Sequence, residues 1–369
     1  MRILHLIDGR FRSVDTVRDG GADAFYRDCQ VLQASAEGQQ RVVVVGPRTS
    51  VRRAEACGLR VHSALAPVLG RPAAAWRSLR MACAAEGRPD VVHCWGADAL
   101  RLATRVFGDS VPRVAVLPQG ELAYACERIL TYSEPARARL LAGGVPAASV
   151  IVVPAPATPP RPSLDSGALR DSLGCGSGFV VALLGEPPQA DVHRFAFLIG
   201  LLERAAFSVT GLASPRHGQR VRAQAFSKVV HNRRVVVTDV PLQALLPACD
   251  AAVFDGGGPG PTTLWNPSPW AAPAPIALAH AAGVPVVAPA WADVGEVYPR
   301  SVAAACLAPN SSLPELARRL FGLAGDDQLR ARTAQAVRSH VHAQNRNAGY
   351  VRAVHECWEL LALPTEVTP

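Results

Sequence analysis

Lysine is almost absent from this 369-residue chain: Lys228 is the only one among 38 basic residues, and the rest are arginine. There is no dense run of basic residues interleaved with aromatics and no recognisable nucleic-acid module. The net charge of +8 therefore describes solvated arginines rather than a nucleic-acid footprint. Paired cysteines are missing too. The nine cysteines are scattered singly from Cys29 to Cys357, with no C-x-x-C and no Cys/His spacing suited to zinc. Such dispersed thiols suit a reducing compartment, where they act as small buried hydrophobes. No uninterrupted apolar span exists either. Residues 256–292 carry no formal charge, but eight prolines from Pro259 to Pro289 exclude a continuous membrane-spanning helix. Asp8 interrupts the start before any apolar run long enough for a signal peptide. These absences together predict a cytoplasmic protein whose membrane contact, if any, is peripheral.

What is present is an ordinary globular composition, 49% hydrophobic and 18% charged, long enough for about two domains at ~150 residues each. Short apolar runs alternate with amphipathic segments. Strands are predicted at 2–7, 41–45, 91–93, 113–117, 128–132 and 150–153, with helices at 22–36, 73–86, 97–107 and 134–143. Five prolines between Pro154 and Pro162 then make a stiff extended linker. Beyond it the pattern restarts, with strands at 179–184, 208–212, 235–238, 251–254 and 284–288, and two closing helices at 313–324 and 327–361. Strands separated by helices imply parallel βαβ units. The fold class is α/β: two Rossmann-like, doubly wound parallel-sheet domains facing a cleft, with ligand bound outside the carboxyl ends of the strands. The expected boundaries are 1–155, a linker at 156–165, a second domain at 166–345, and a last helix at 346–369 crossing back to the first. Gly174-Cys175-Gly176-Ser177-Gly178 precedes a strand rather than following one, the wrong context for a dinucleotide fingerprint, and no G-x-x-x-x-G-K-[ST] loop exists.

One segment carries a specific resemblance. Pro275 to Val297 reads PIALAHAAGVPVVAPAWADVGEV: a small-residue helix, Gly283, an apolar strand, then Gly295-Glu296-Val297. It resembles the signature of GT-B glycosyltransferases of family 4, which usually runs E-G-F-G-x-x-x-x-E-A-M-A-x-G-x-P-V-V-A. Arg18-Asp19-Gly20-Gly21-Ala22-Asp23 is similar to the family's glycine loop opening the first helix. Glycines there let the backbone approach a diphosphate, and the helix N-terminus favours negative charge. Glu127 to Val153 and Asp239 to Asp250 resemble two further family segments, so the likeness spans most of the chain.

The resemblance implies transfer of a sugar from a nucleotide-sugar donor to an acceptor hydroxyl, on a glycan or lipid-linked acceptor, with retention of configuration and without a metal or other cofactor. Donor contacts fall on Gly20, Gly21, Gly185, Gly283 and Glu296. The usual charged residues are altered, however. The family's two glutamates align with Trp270 and Leu278. Its Arg and Lys, which hold the diphosphate, align with Glu186 and Asp191, whose charge would repel an anion; Arg194, three residues on, is the nearest replacement. A family histidine is also missing from Leu117 to Glu121.

The remaining polar candidates for chemistry are His93, expected at the carboxyl end of its strand, Glu121 and Glu296. Each also has a structural reading, as a packed histidine, a surface carboxylate or a helix cap. His280 reads as a core residue; Trp265, Trp270 and Trp291 as packing or sugar-stacking aromatics; Gly256 to Gly260 as a linker or a phosphate nest. Three functional readings stay open: an active glycosyltransferase, a catalytically inactive binding or partner protein of a polysaccharide or glycoconjugate pathway, and a different GT-B reaction such as epimerisation.

Overall fold

The computed structural model describes residues 1–8, 21–35, 39–46, 48–65, 79–81, 83, 87–117, 126–158, 165–184, 189–205, 207–214, 235–238, 240, 242–254, 273–290, 292–295, 297–310 and 312–362. These form two compact units. One takes the strand Arg2–Asp8, the stretch Gly21–Pro154 and the chain from Asn347 onward; the other is Ala155–Arg346.

The first unit holds seven strands: β1 (Arg2–Asp8), β2 (Gln39–Val45), β3 (Ser63–Leu65), β4 (Val91–Trp95), β5 (Arg113–Val116), β6 (Arg128–Thr131) and β7 (Val150–Val152). They lie in the order β3-β2-β1-β4-β5-β6-β7, and every pairing is parallel. The second unit holds β8 (Phe179–Leu183), β9 (Val209–Ala213), β10 (Val235–Val237), β11 (Ala251–Val253), β12 (Val286–Pro289) and β13 (Leu307–Ala308). Their order is β10-β9-β8-β11-β12-β13, again all parallel. Both units are doubly wound, as the alternation of strands and helices predicts.

Period-two alternation divides each sheet into two packed faces. On one face of the second sheet, Phe179, Val181 and Leu183 pack with Val192, Phe195 and Ile199 of helix Gln189–Arg204 and with Leu316 and Leu320 of helix Leu313–Gly325. On the other, Ala182 and Leu184 pack with Ile276, Leu278 and Ala279 of helix Pro273–Ala281. In the first sheet Leu4, Leu6, Val92 and Cys94 face helix Ala97–Phe107.

Caps end several helices. Ser133 accepts from Ala136 N at 3.3 Å ahead of helix Glu134–Ala142, with Pro135 in its first turn. Asp326 accepts from Leu329 N at 2.8 Å ahead of helix Asp327–Ala343.

The structure differs from the sequence-based reading at the closing helix and at two short strands, and it adds helix Arg48–Ala56. The single helix expected over 327–361 is broken at Asn345, which has φ 42 and is the one described non-glycine residue with positive φ. Helices Asp327–Ala343 and Arg346–Ala362 lie on either side of it. Asparagine tolerates the left-handed region, which ends a helix as glycine does. Strands β3 and β13 were not expected; at three and two residues they are too short to show alternation. Most of the helix expected at 73–86 lies outside the described residues.

Candidate functional site

In each sheet the winding reverses next to its first strand, between β1 and β4 and between β8 and β11. Doubly wound sheets take ligands outside the carboxyl ends of the strands at that point. In the second unit the ladder runs to the tips of both strands: Leu184 N donates to Val253 O at 2.8 Å and Phe254 N to Val287 O at 2.9 Å. Leu184 and Phe254 are buried and give this edge an apolar floor. Helices Gln189–Arg204 and Pro273–Ala281 start on this side, because each must return the chain to the amino edge for a parallel strand. Helix Gln189–Arg204 presents backbone N–H groups there that favour an anion, whereas Pro273 and Pro275 carry no N–H and leave the start of helix Pro273–Ala281 with few. Residues 185–188 and 255–272 lie outside the described residues, and with them Gly185, Glu186, Gly256 to Gly260, Trp265 and Trp270. Gly20, Glu121, Trp291 and Glu296 lie outside as well. Gly21 opens helix Gly21–Ala34. Asp191 lies in helix Gln189–Arg204, and Arg194 is half-buried on the same helix.

Gly283 requires a correction. It follows the end of helix Pro273–Ala281 and leads into the amino end of β12, on the opposite edge from the strand tips just described. Its φ is 76. Gly283 N donates to His280 O at 2.9 Å and Val284 N to Ala279 O at 2.9 Å, the paired bonds of a glycine-terminated helix. The Arg338 guanidinium lies where a Cβ would stand, and its Nη2 donates to Ala282 O at 2.9 Å. Gly283 thus ends a helix and seats an arginine, and neither role brings it to a donor.

His93 also requires one. Its strand runs on to Trp95, so His93 is mid-strand, fully buried. Trp358 Nε1 donates to its Nδ1 at 3.1 Å, and its ring stacks on Trp95 at 4.7 Å. Burial holds its pKa well below the ordinary histidine value, with nearby His5 adding to the effect. The packed reading describes this residue. His280 is likewise a core group: its Nδ1 donates to Val297 O at 3.2 Å, Tyr298 meets it edge-on at 4.8 Å, and burial lowers its pKa to about 3. It holds its helix to the residue following Glu296. Leu278, aligned with a family glutamate, is 4% exposed and belongs to the apolar cluster of Leu184 and Phe254.

The sequence reading missed Asp28. Phe25, Asp28, Cys29 and Leu32 form one stripe at helical spacing on Gly21–Ala34, and all four are buried. An aspartate in the middle of such a stripe is the signal that could have found it. Tyr132 donates to its carboxyl, and burial pushes the Asp28 pKa up to about 7. The group is therefore largely protonated in mildly acidic solution.

No family model matches the sequence, and no curated protein does. Solved structures do. Anabaena Alr3699/HepE, crystallised with UDP and glucose, superposes with a TM-score of 0.73 at 16% identity, covering 98% of this chain and 100% of that one. The fold is GT-B. Sucrose-phosphate synthase from Thermosynechococcus elongatus matches with a TM-score of 0.68 at 13% identity over 98% and 99% of the two chains. UDP-GlcNAc 2-epimerase from Neisseria meningitidis, bound to UDP-GlcNAc, matches with a TM-score of 0.55 at 12% identity over 94% and 99%. This architecture, two Rossmann-like units each with the carboxyl edge described above, is common to transferases and an epimerase. No described helix is long and apolar enough to cross a membrane. Among the described residues no group of three or more His, Cys, Asp and Glu side chains could hold a metal ion.

Proposed function

We propose that this chain is a family 4-like GT-B glycosyltransferase that takes a nucleotide-sugar at the carboxyl edge of its second sheet and transfers the sugar to an acceptor hydroxyl. The observation that carries the reading is the full-length likeness to HepE, whose structure holds UDP and glucose, together with the N-terminus of helix Gln189–Arg204 beside β8. Such an edge suits a diphosphate. Gly185, two residues beyond β8 in sequence, is assigned to the approach of a diphosphate to the backbone, and Gly20 and Gly21, at the start of helix Gly21–Ala34 in sequence, are assigned the same role. Glu296, joined to the His280-anchored Val297, is the acidic residue assigned to the sugar or ribose hydroxyls. Transfer needs no metal in this reading, because backbone N–H groups carry the leaving charge.

Leu278 favours a second reading. A buried leucine offers no carboxylate where the family binds hydroxyls, so a GT-B protein that binds the donor without turnover is the alternative. Calorimetry with UDP, UDP-glucose, GDP-mannose and ADP-glucose, followed by a transfer assay over a panel of glycan and lipid-linked acceptors, decides between them. Binding of one donor with turnover is the expected result. Binding without turnover on any acceptor supports the binding protein, and no binding of any nucleotide compound defeats both.

A further inference from the structure

The last helix is attached to the first unit by a polar-aromatic cluster that the reaction does not use. In helix Arg346–Ala362, Tyr350, Val354, Cys357 and Trp358 are buried on one stripe. The cluster they enter is built on β1 and β4, where His5 pairs with His93 across the sheet. The His5 and His93 ring centroids are 5.3 Å apart, and Trp358 meets them edge-on at 5.5 and 5.6 Å. His355, one turn-fraction away on the helix, stacks on Trp358 at 4.9 Å and lies 3.2 Å from Ser35 Oγ through its Nε2.

The hydrogen-bond chemistry fixes the protonation of this cluster. An indole N–H only donates, so the Trp358 Nε1 bond requires a bare lone pair on His93 Nδ1 and places the His93 proton on Nε2. His5 Nε2 faces Gln40 Oε1 at 3.1 Å, and with that carbonyl oxygen as acceptor the His5 proton is on Nε2 and its Nδ1 is bare. Neither His93 Nε2 nor His5 Nδ1 has a hydrogen-bond partner. Doubly protonated His93 would lose the Trp358 bond and place a cation beside a second imidazole, with no carboxylate partner among the described residues.

We propose that the neutral Nε2–H tautomer of His93 is an acid-sensitive latch for the C-terminal helix: protonating its Nδ1 releases the Trp358 end of that helix from the first unit while the rest of the chain stays folded. The titratable group facing His93 is His5 on β1; His62 and His355 neighbour His5 in turn, and Gln40 is its neutral partner. A proton on His5 would place like charge beside His93 and so reinforce the effect. Desolvation lowers His5 to about 4 and holds His93 well below the ordinary histidine value, which keeps the latch shut at neutral pH. The sign follows: the histidine contribution is complete above about 6.5 and is lost as pH falls. Near the other end of the helix, Asp28, raised to about 7, takes up its proton over the same interval and there favours the folded unit, opposing the release. This inference is independent of the donor reading.

The test is hydrogen exchange of the full chain, corrected for intrinsic rates, between pH 7 and pH 4. Residues 351–360 are expected to lose at least tenfold in protection while amides of β8 and β9 keep theirs. In His93→Asn the amide oxygen can replace Nδ1 as acceptor but does not titrate, and the loss is expected to disappear. Parallel loss in β8, β9 and the helix would overturn the proposal, as would an unchanged pH profile in His93→Asn. Nitrogen-15 spectra of histidine-labelled wild-type protein give a reading that needs no variant. They should show His93 protonating together with the loss of protection, and release of the helix while His93 remains neutral would overturn the latch equally.

Discussion

The two sheets share a strand order, yet the space under them is filled differently. The main cluster of the second unit, around β8, β9 and helices Gln189–Arg204 and Leu313–Gly325, is apolar throughout. One face of the first sheet instead buries His5, His93, Trp95 and, from two helices, Asp28 and Trp358. The same topology therefore accepts either a hydrocarbon filling or a hydrogen-bonded one. Dispersion and area burial stabilise the first at any pH, whereas the second depends on each group staying neutral. In the first unit the ionisable groups also oppose one another. Asp28 is raised to about 7, so its contribution is complete below about 4 and is lost as pH rises toward 7. His5 is lowered to about 4, so its contribution is complete above about 6.5 and is lost as pH falls. Over the same interval the folded unit holds a proton that the unfolded chain would release at Asp28, and lacks one that the unfolded chain would bind at His5.

The largest effect that probes this contrast is Phe195→Ala in the apolar filling, expected to cost roughly 3–5 kcal/mol. Urea unfolding should show the same loss at pH 5 and pH 8; a loss that varied with pH would break the contrast. Next, Asp28→Asn removes the opposing carboxyl. Relative to wild type it should gain stability as pH rises from about 4 to about 7, by at most about 4 kcal/mol at ~1.36 kcal/mol per pKa unit, and gain nothing further above that. Protection of β1 and β4 amides measures it, and superimposable pH profiles would mean Asp28 is not held neutral. Gly211→Ala adds a Cβ only 2.8 Å from Ile199 Cγ1 and Phe195 Cε1, where β9 meets its helix. It should cost roughly 1–3 kcal/mol by overpacking, again without pH dependence. Smallest is Ser133→Ala, which removes the cap of helix Glu134–Ala142 and should cost about 1 kcal/mol in urea unfolding at every pH. A pH-dependent cost there would show that the titration in the first unit is not confined to its polar face.

The fold was legible because strand, helix and turn signals agree along the chain. Short apolar runs such as Phe179–Leu183 and caps such as Ser133 are local, and they state their structure without help from distant residues. The candidate site was less legible because its chemistry depends on partners far apart in sequence. His93 read as a strand-end histidine because Trp358, its partner 265 residues later, cannot be seen locally. Gly283 read as a ligand-facing glycine because the Arg338 that occupies its missing side chain lies on another helix. Leu278 is the counterexample: its apolar character was plain from the sequence, and its burial accounts for it.

The turn at Asn345 has a consequence for biogenesis. The second unit ends at Arg346, while the first contains both the opening strand and the chain from Asn347. On the ribosome, the first unit must wait for helix Arg346–Ala362, while the unit inserted within it has its whole sequence before that helix is made. Order of completion thus runs against order of synthesis, and until residue 358 emerges the histidine face of the first sheet has no indole to cover it.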